Sequence, residues 1–372
     1  MWFLRRLGGV SELTSPSSWN VEGRLLFMNR KPTMKELVAA TQLSRATIDR
    51  VLNNRPGVNP KTVEAVQRAY SSLLVQAAGG VHTGLVKQNS SFSVVVQAGE
   101  EYNESVKFAG EKLQDEMDSR GITLKISSCS DVDDDEVVSL MYQHAKHADG
   151  IAVVAKNTPV INAAVQKLRQ EGKHIVALVS DLDPDVRDAY VGINNRAAGQ
   201  AAGFILGRHL QHCNNANVAV IVGTLSYSCH DDREIGFRAQ IRKTFPSVVV
   251  SEVVSGNDNT QQTYDAAIQL LRHDPNIRAV YNVAGGNAGL AAALDEYKSA
   301  IRPILITHEV NKVTEKLILE EKIDYILSQD MVQLLRTTID KLSALQRNKS
   351  ISAHTFLPIE IITRFTLQSN FL

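Results

Sequence analysis

The sequence predicts a small all-α domain followed by a much larger α/β domain with parallel sheets. Three observations carry that prediction. Residues 33–70 fall into three short runs of helical spacing, each opened by a capping residue. From Phe92 onward, short β-rich runs alternate with helical stretches. The chain has 372 residues, 44% of them hydrophobic and 22% charged, which excludes wholesale disorder and suggests more than one domain. No apolar run reaches the roughly 18 to 20 residues that a membrane span needs. Three scattered cysteines, Cys129, Cys213 and Cys229, fit free thiols in a reducing cytoplasm better than a disulfide framework.

Residues 1–27 lack helical or strand periodicity, and Arg5-Arg6 is not followed by the apolar stretch of a secretory signal. They are expected to be a disordered tail or an upstream start ahead of Met28. Thr33-Met34-Lys35-Glu36 is a capping box, so a helix begins there and carries Leu37 and Val38. Ser44 caps a second helix, with Ile48, Val51 and Leu52 on one face and Arg45, Ala46, Asp49 and Arg50 on the other. Asn59 caps a third, and Pro60 stands at its first position, where a missing N–H costs nothing. Net charge is zero overall, yet residues 28–80 carry eight Lys/Arg against three acids, whereas residues 81–372 carry 35 acids against 29 bases. A basic head on an acidic body suggests an anionic partner for the head alone.

Two short helices joined by a tight turn form a helix-turn-helix, whose second helix enters the DNA major groove with its N-terminal side chains at base edges. Arg45 stands there and could bond guanine O6 and N7 in the two-pronged manner of arginine. Short polar residues at helix ends (Thr33, Ser44, Thr47 and Asn53) suit phosphate oxygens; they also serve simply as caps. Thr33 to Thr62, TMKELVAATQLSRATIDRVLNNRPGVNPKT, resembles the DNA-binding head of the LacI family of transcriptional regulators. The resemblance implies that Arg45, Ala46 and Arg50 read bases while Thr33, Ser44, Thr47, Asn53 and Asn59 hold the backbone. Asp49 departs from the family's serine and is expected to turn toward Arg45 or Arg50, or to accept from a cytosine amine. The hinge that family places next has no Pro-Asn and no arginine here. Residues 75–90 therefore read as a linker, with Leu73 or Leu74 as the only candidates for a minor-groove wedge.

In the body, strands are predicted at Ser93–Gln97, Thr123–Ser127, Gly150–Ala155, His174–Val179, Ala189–Ile193, Val218–Gly223, Val248–Val254, Ala279–Val283, Pro303–Thr307 and Asp324–Ser328. Helices are predicted between most of them, as at 105–120, 159–172, 197–211 and 286–299. That rhythm implies parallel sheets covered by helices, and about 280 residues imply two lobes. Ligands of such sheets sit beyond the carboxyl ends of the strands. The polar residues there are candidates: Glu100 and Tyr102, Ser180, the stretch from Tyr227 to Arg233, Asn287, His308-Glu309, and Gln329.

Residues 91–372 resemble the type I periplasmic sugar-binding proteins, whose fold is also the effector domain of LacI-family regulators. The markers are VGINNRAAGQAAGFILGRHL, DREIGF and YILSQD. The resemblance implies a two-lobed periplasmic-binding-protein-like domain, one lobe from 91–193 and 330–358, the other from 194–329 and 359–372. It implies an effector site of Glu100, Tyr102, Ser180, Asn194, Arg233, Asn287, Glu309 and Gln329, with Arg233 facing ligand hydroxyls. Glu309 stands where the family has an aspartate, and Ala284-Gly285-Gly286 where it commonly has Ala-Asn-Asp.

Other patterns carry less. Asp131, Asp133 and Asp135 begin like a calcium loop, but the required glycine and closing glutamate are missing. His209, His212 and Cys213 lack a fourth metal ligand. Ser226, His230 and Asp231 lack a nucleophile elbow, and Gly285–Gly289 lacks the Gly-Lys-Ser/Thr of a phosphate loop. No catalytic residue, metal or cofactor is expected. The expectation is a cytoplasmic homodimer that binds a double-stranded DNA operator, most often as a repressor, under the control of a sugar or polyol. The alternative is the solute-binding protein of a sugar transporter.

Overall fold

The computed structural model describes residues 32–52, 55, 57–59, 62–63, 65–66, 69–70 and 90–368, the last without 131–132, 214–215 and 299–300. The tail, Asn53, Leu73, Leu74, the linker to residue 89 and Asp131 of the calcium-like pattern lie outside the described residues. The chain forms two compact units, 1–87 and 88–372.

In the first unit, helices α1 (Met34–Thr41) and α2 (Arg45–Leu52) form where the caps predict. The Thr33 amide donates to Glu36 Oε2 at 2.7 Å, and the Glu36 amide donates to Thr33 Oγ1 at 3.4 Å. Gln42, in the left-handed region at φ 55°, stops α1, and the Ser44 hydroxyl accepts the Thr47 amide at 3.2 Å to start α2. The Asn59 carbonyl accepts the amides of Thr62 and Val63. Leu37, Ile48, Val51 and Val66 make a small core, so each run contributes its apolar face. Asp49 pairs with Arg55 at 3.1 Å rather than with Arg45 or Arg50.

The second unit contains two six-stranded sheets. The first holds β1 (Ser90–Gln97), β2 (Ile122–Cys129), β3 (Gly150–Val154), β4 (His174–Leu178), β5 (Ala189–Ile193) and β11 (His354–Leu357), in the order β11-β5-β4-β3-β1-β2, all parallel. The second holds β6 (Asn217–Val222), β7 (Val249–Ser255), β8 (Ile277–Asn282), β9 (Ile304–His308), β10 (Tyr325–Ser328) and β12 (Glu360–Ile362), in the order β12-β10-β9-β8-β6-β7. It repeats the topology of the first, except that β12 runs antiparallel to β10. In β1, Phe92, Val94 and Val96 enter the core on one face and Val95 the core on the other, as expected of a strand covered on both sides. The chain crosses between lobes at Ile193–Asn195, at Ser328–Met331 and between β11 and β12.

The helices that matter for the site are α3 (Glu100–Arg120), α6 (Asn195–Leu210), α7 (Ser228–Thr244), α9 (Asn287–Tyr297), α10 (Lys312–Leu319) and α11 (Met331–Gln346); α4 (Asp134–Ala145), α5 (Pro159–Gln170) and α8 (Thr260–His273) complete the layers. Helices α6 and α7 approach backbone to backbone. A Cβ on Gly199 would collide with the Arg233 carbonyl, and one on Gly236 with the Arg196 carbonyl. Gly199→Ala should therefore lower stability by about 2–3 kcal/mol, the cost of overpacking a rigid contact, and displace Arg233. Urea denaturation measures the first effect and ligand affinity the second. Asp133 caps α4 through the Asp135 amide at 2.8 Å, which accounts for an acidic cluster at that helix start without a metal.

Candidate functional site

Between the two lobes lies a cavity of about 760 Å³, lined at the carboxyl ends of strands from both sheets. The first sheet supplies the start of α3 after β1 and Ser180 after β4. The second supplies the start of α7 after β6, Asp258 after β7, the start of α9 after β8, and His308-Glu309 at the end of β9. In a doubly wound sheet the connections on either side of β1 and β6 leave in opposite directions, which opens the space that each lobe presents to the other.

Arg233 is the centre of the arrangement. It is 3% exposed and reaches three acceptors: Asn195 Oδ1 from Nε at 2.9 Å, the Val283 carbonyl from Nη1 at 2.9 Å, and Glu309 Oε1 from Nη2 at 3.2 Å. Gln329 donates to the same Glu309 oxygen at 2.8 Å. Glu309 adopts φ 63°, a region that non-glycine residues enter at some cost, and this turns its carboxylate back toward Arg233. Burial pushes the Glu309 carboxyl upward, while the Arg233 charge and the Gln329 bond pull it down less strongly.

Five buried polar atoms here have no protein partner among the described residues: Tyr102 Oη, Asn103 Oδ1, Ser180 Oγ, His308 Nδ1 and Gln329 Oε1. All but the last belong to residues lining the cavity. His308 Nε2 lies 2.8 Å from the Tyr281 hydroxyl. With the buried Tyr281 hydroxyl as donor in this pair, the ring proton stands on Nδ1; with it as acceptor, Nδ1 is itself an acceptor, and in either tautomer Nδ1 is left for a ligand. A buried polar atom left unpaired costs about 1–3 kcal/mol, so the set is suited to a ligand that brings hydroxyls. Asn287 accepts from Asn282 Nδ2 at 2.9 Å and Thr307 Oγ1 at 2.6 Å, both at Oδ1, which fixes its amide against the cavity.

Burial holds the His308 imidazole well below its ordinary value of 6.5, and the charge of Arg233 adds to the effect; burial also lowers His230. Both rings are neutral in the fold. The unfolded chain binds protons that the fold refuses, so these rings make stability fall as pH drops below about 6.5. Glu309 and Glu101, raised by burial, act oppositely: the fold keeps their protons longer, so they favour folding as pH falls through the window above the ordinary 4.5. His308→Asn should flatten the acid-side fall relative to wild type, measured by urea denaturation at stepped pH.

Besides the bonds that Asn195 makes at the first crossing, four hydrogen bonds among the described residues join the lobes across the cleft. The Asn157 amide donates to the Ser226 carbonyl at 2.7 Å, Tyr227 Oη to the Gln97 carbonyl at 2.8 Å, Ser228 Oγ to the Asp181 carbonyl at 2.6 Å, and Asn311 Nδ2 to Glu101 Oε2 at 3.4 Å. This is a closed arrangement of two lobes.

Of the eight effector residues expected from the sequence, Glu100, Tyr102, Ser180, Arg233, Asn287 and Glu309 line the cavity. Gln329 stands behind Glu309 and orients it. Asn194 is a correction: it is exposed, and its side chain is occupied in capping α6 through the Ala197 amide at 3.0 Å. Its neighbour Asn195, 6% exposed, turns inward to Arg233. Asp258 lines the cavity as well, and its only signal in the sequence is Gly256-Asn257-Asp258-Asn259 directly after a strand, a loop composition that tolerates left-handed backbone. Asn257 and Asp258 do adopt φ 49° and 52°. In the other unit, Thr33, Ser44, Arg45, Ala46, Arg50 and Asn59 are exposed and Thr47 is half-buried, its hydroxyl 2.9 Å from that of Ser44.

Among the described residues no group of three or more His, Cys, Asp or Glu is placed to hold a metal ion, and no helix is long and apolar enough to cross a membrane.

The family model of the periplasmic binding protein domain matches residues 92–350. Over 272 residues the chain is 24% identical to the HTH-type transcriptional regulator CelR of Thermobifida fusca, spanning 71% of this chain and 76% of that protein. Among solved structures, GanP, a glucose-galactose binding protein from Geobacillus stearothermophilus, superposes with a TM-score of 0.69 at 18% identity, over 75% of this chain and 99% of that one. A solute-binding protein of an ABC transporter from Burkholderia graminis C4D1M, solved with D-arabinose, superposes with a TM-score of 0.68 at 20% identity, over 76% and 98%. At those identities the structural likeness establishes the fold: two periplasmic-binding-protein-like lobes with parallel sheets.

Proposed function

The chain belongs to the periplasmic binding protein domain family, and on that footing we propose that it is a sequence-specific DNA-binding transcriptional regulator, of the repressor type, controlled by a small polar effector held between its two lobes. The effector class is a sugar or polyol. The family and fold are those of binding proteins, not of enzymes.

One observation carries the regulatory half of this reading. Ahead of the body stand two short capped helices, Met34–Thr41 and Arg45–Leu52, with Arg45, Ala46 and Arg50 on an exposed face and Ser44 at the start of the second. That is the pattern by which a helix-turn-helix presents one helix to the major groove. The similarity to CelR agrees with it. Arg45, Ala46 and Arg50 would read bases, and Thr33, Ser44, Thr47, Asn53 and Asn59 would hold phosphates. As a homodimer the chain would place two such heads on a pseudo-palindromic operator.

The effector half rests on the unpaired polar atoms around Arg233 and on the four hydrogen bonds across the cleft. A ligand that touches both lobes binds the closed state better than the open one, and that difference is what shifts a conformational equilibrium. The alternative, a solute-binding protein of a sugar transporter, shares this body and differs in where the chain resides. Fractionation of the host cell separates the two. The regulator is recovered from the cytoplasm with its head intact; a mature protein in the periplasm or medium, cut after residue 20 to 30, would establish the transporter reading instead.

A further inference from the structure

The charge of the cleft says more about its ligand than the fold does. Six of the residues lining the cavity carry carboxylates, and two, Lys107 and Arg233, carry cations. Lys107 is exposed at the rim, and so are Glu100, Glu104 and Glu136. Arg233 is already committed to Glu309, Asn195 and the Val283 carbonyl. Two carboxylates thus remain inside without a Lys or Arg partner: Glu101, on the first turn of α3 in one lobe, and Asp258, in the loop after β7 in the other, whose Oδ2 shares the space around Gly223 with the ring of His230, an imidazole that burial lowers.

The start of α3 favours acidic residues through its helix dipole, and that explains Glu100 at the rim. It explains Glu101 less well. Glu101 is half-buried, and its one hydrogen bond, from Asn311 at 3.4 Å, is long. Burial pushes its carboxyl upward, the Asn311 bond offsets part of that, and the nearby charges of Asp258, Glu104 and Glu100 push upward again. Asp258 lies directly against the residue that precedes α3: a Cβ on Gly99 would stand 3.2 Å from Asp258 Cβ. Asp258 Oδ1 accepts the Gly285 amide at 2.6 Å. Closing the lobes therefore brings two like charges near each other in a partly buried site, an unfavourable arrangement that a positive group between them would relieve.

We propose that the cleft selects an effector bearing a protonated amine on a hydroxylated frame, an amino sugar or amino polyol, with the ammonium between Glu101 of one lobe and Asp258 of the other. This rests on the cleft being the effector site. The hydroxyls meet the neutral donors and acceptors already described, Tyr102 Oη, His308 Nδ1 and Asn287. The ammonium turns the cross-cleft repulsion into two attractions, one to each lobe, and so rewards closure specifically. A neutral sugar of the same shape leaves the repulsion in place.

The test is calorimetric titration of the full-length chain with D-glucosamine and D-galactosamine, against D-glucose and D-galactose as neutral parents, N-acetyl-D-glucosamine as the uncharged amide, and spermidine as an amine without a ring. The expected result is that an amino sugar binds about tenfold or more tighter than its neutral parent, which is about 1.4 kcal/mol. That advantage should shrink at high salt and on deprotonation of the amine. Glu101→Gln and Asp258→Asn should each remove most of that difference between an amino sugar and its neutral parent. The salt and pH dependence in the wild-type chain keeps the test decisive should either variant fold poorly. Neutral parents binding as tightly as the amino sugars would overturn the proposal and leave the sugar-responsive reading intact. Binding of spermidine alone would overturn the hydroxylated frame. Binding of none of these compounds would count against both the amine and the cleft as a sugar site.

Discussion

Arg233→Ala should leave a protein that no longer responds to its effector and is less stable by about 3–5 kcal/mol, the usual consequence of removing one member of a buried ion pair. The guanidinium makes three hydrogen bonds from a nearly sealed position. Its loss strands the Glu309 carboxylate, the Asn195 amide oxygen and the Val283 carbonyl at once. The structural and recognition effects are separable. Glu309→Gln in the same background removes the stranded charge, so the double variant should recover part of the stability while remaining unable to bind the effector. Urea denaturation gives the first quantity and ligand-induced thermal shift the second. Wild-type protein at a hundred dissociation constants of ligand should gain about 2.7 kcal/mol, and the double variant none. Undiminished effector affinity in Arg233→Ala would remove Arg233 from the site.

Arg50→Ala should do the reverse. Arg50 is exposed on α2, far in sequence from the cleft residues, and packs into no core. Its replacement should weaken operator binding by about 1–3 kcal/mol if it pairs with a base, with effector affinity and folding stability unchanged. The pattern of the loss assigns the contact. A base contact loses affinity at one operator position and relaxes specificity there. A phosphate contact loses it uniformly and lowers the salt dependence by about one ion. Equal losses in DNA and effector binding would contradict the division of labour between the two units.

Much of the fold was legible because its signals are local and strong. β1 is readable from Val94, Val95 and Val96 within a run that buries both faces, and the caps at Thr33 and Ser44 mark helix starts within three residues. Strands β11 and β12 went unread. They are four and three residues long, partly exposed, and become strands only by pairing with β5 and β10, contacts that no local pattern reports. Arg233 was legible from the spacing of Arg, Gly and Phe in DREIGF, a spacing the structure explains: Gly236 allows α7 to approach α6, and Phe237 is buried behind it. Asn194 is legible from the Asn-Asn of VGINNRAAGQAAGFILGRHL only as one of two adjacent amides, Asn194 and Asn195. Both are amides at a helix start, and only the direction of the chain as it leaves β5 decides which caps and which turns inward. Asp258 was hidden for a related reason. Its role depends on two consecutive left-handed residues that carry the chain back over the start of α3 in the other lobe, a long-range placement.

The central claim is that one chain joins a DNA-reading head to a ligand-gripping cleft. It is tested most directly by incubating the full-length protein with fragments of its own genome over a range of salt, with and without the sugars and amino sugars above. The account predicts that a small set of fragments is retained, that their affinity falls steeply with salt as phosphate contacts require, and that one class of ligand changes it. Retention of no fragment above bulk DNA under any of these conditions would contradict it.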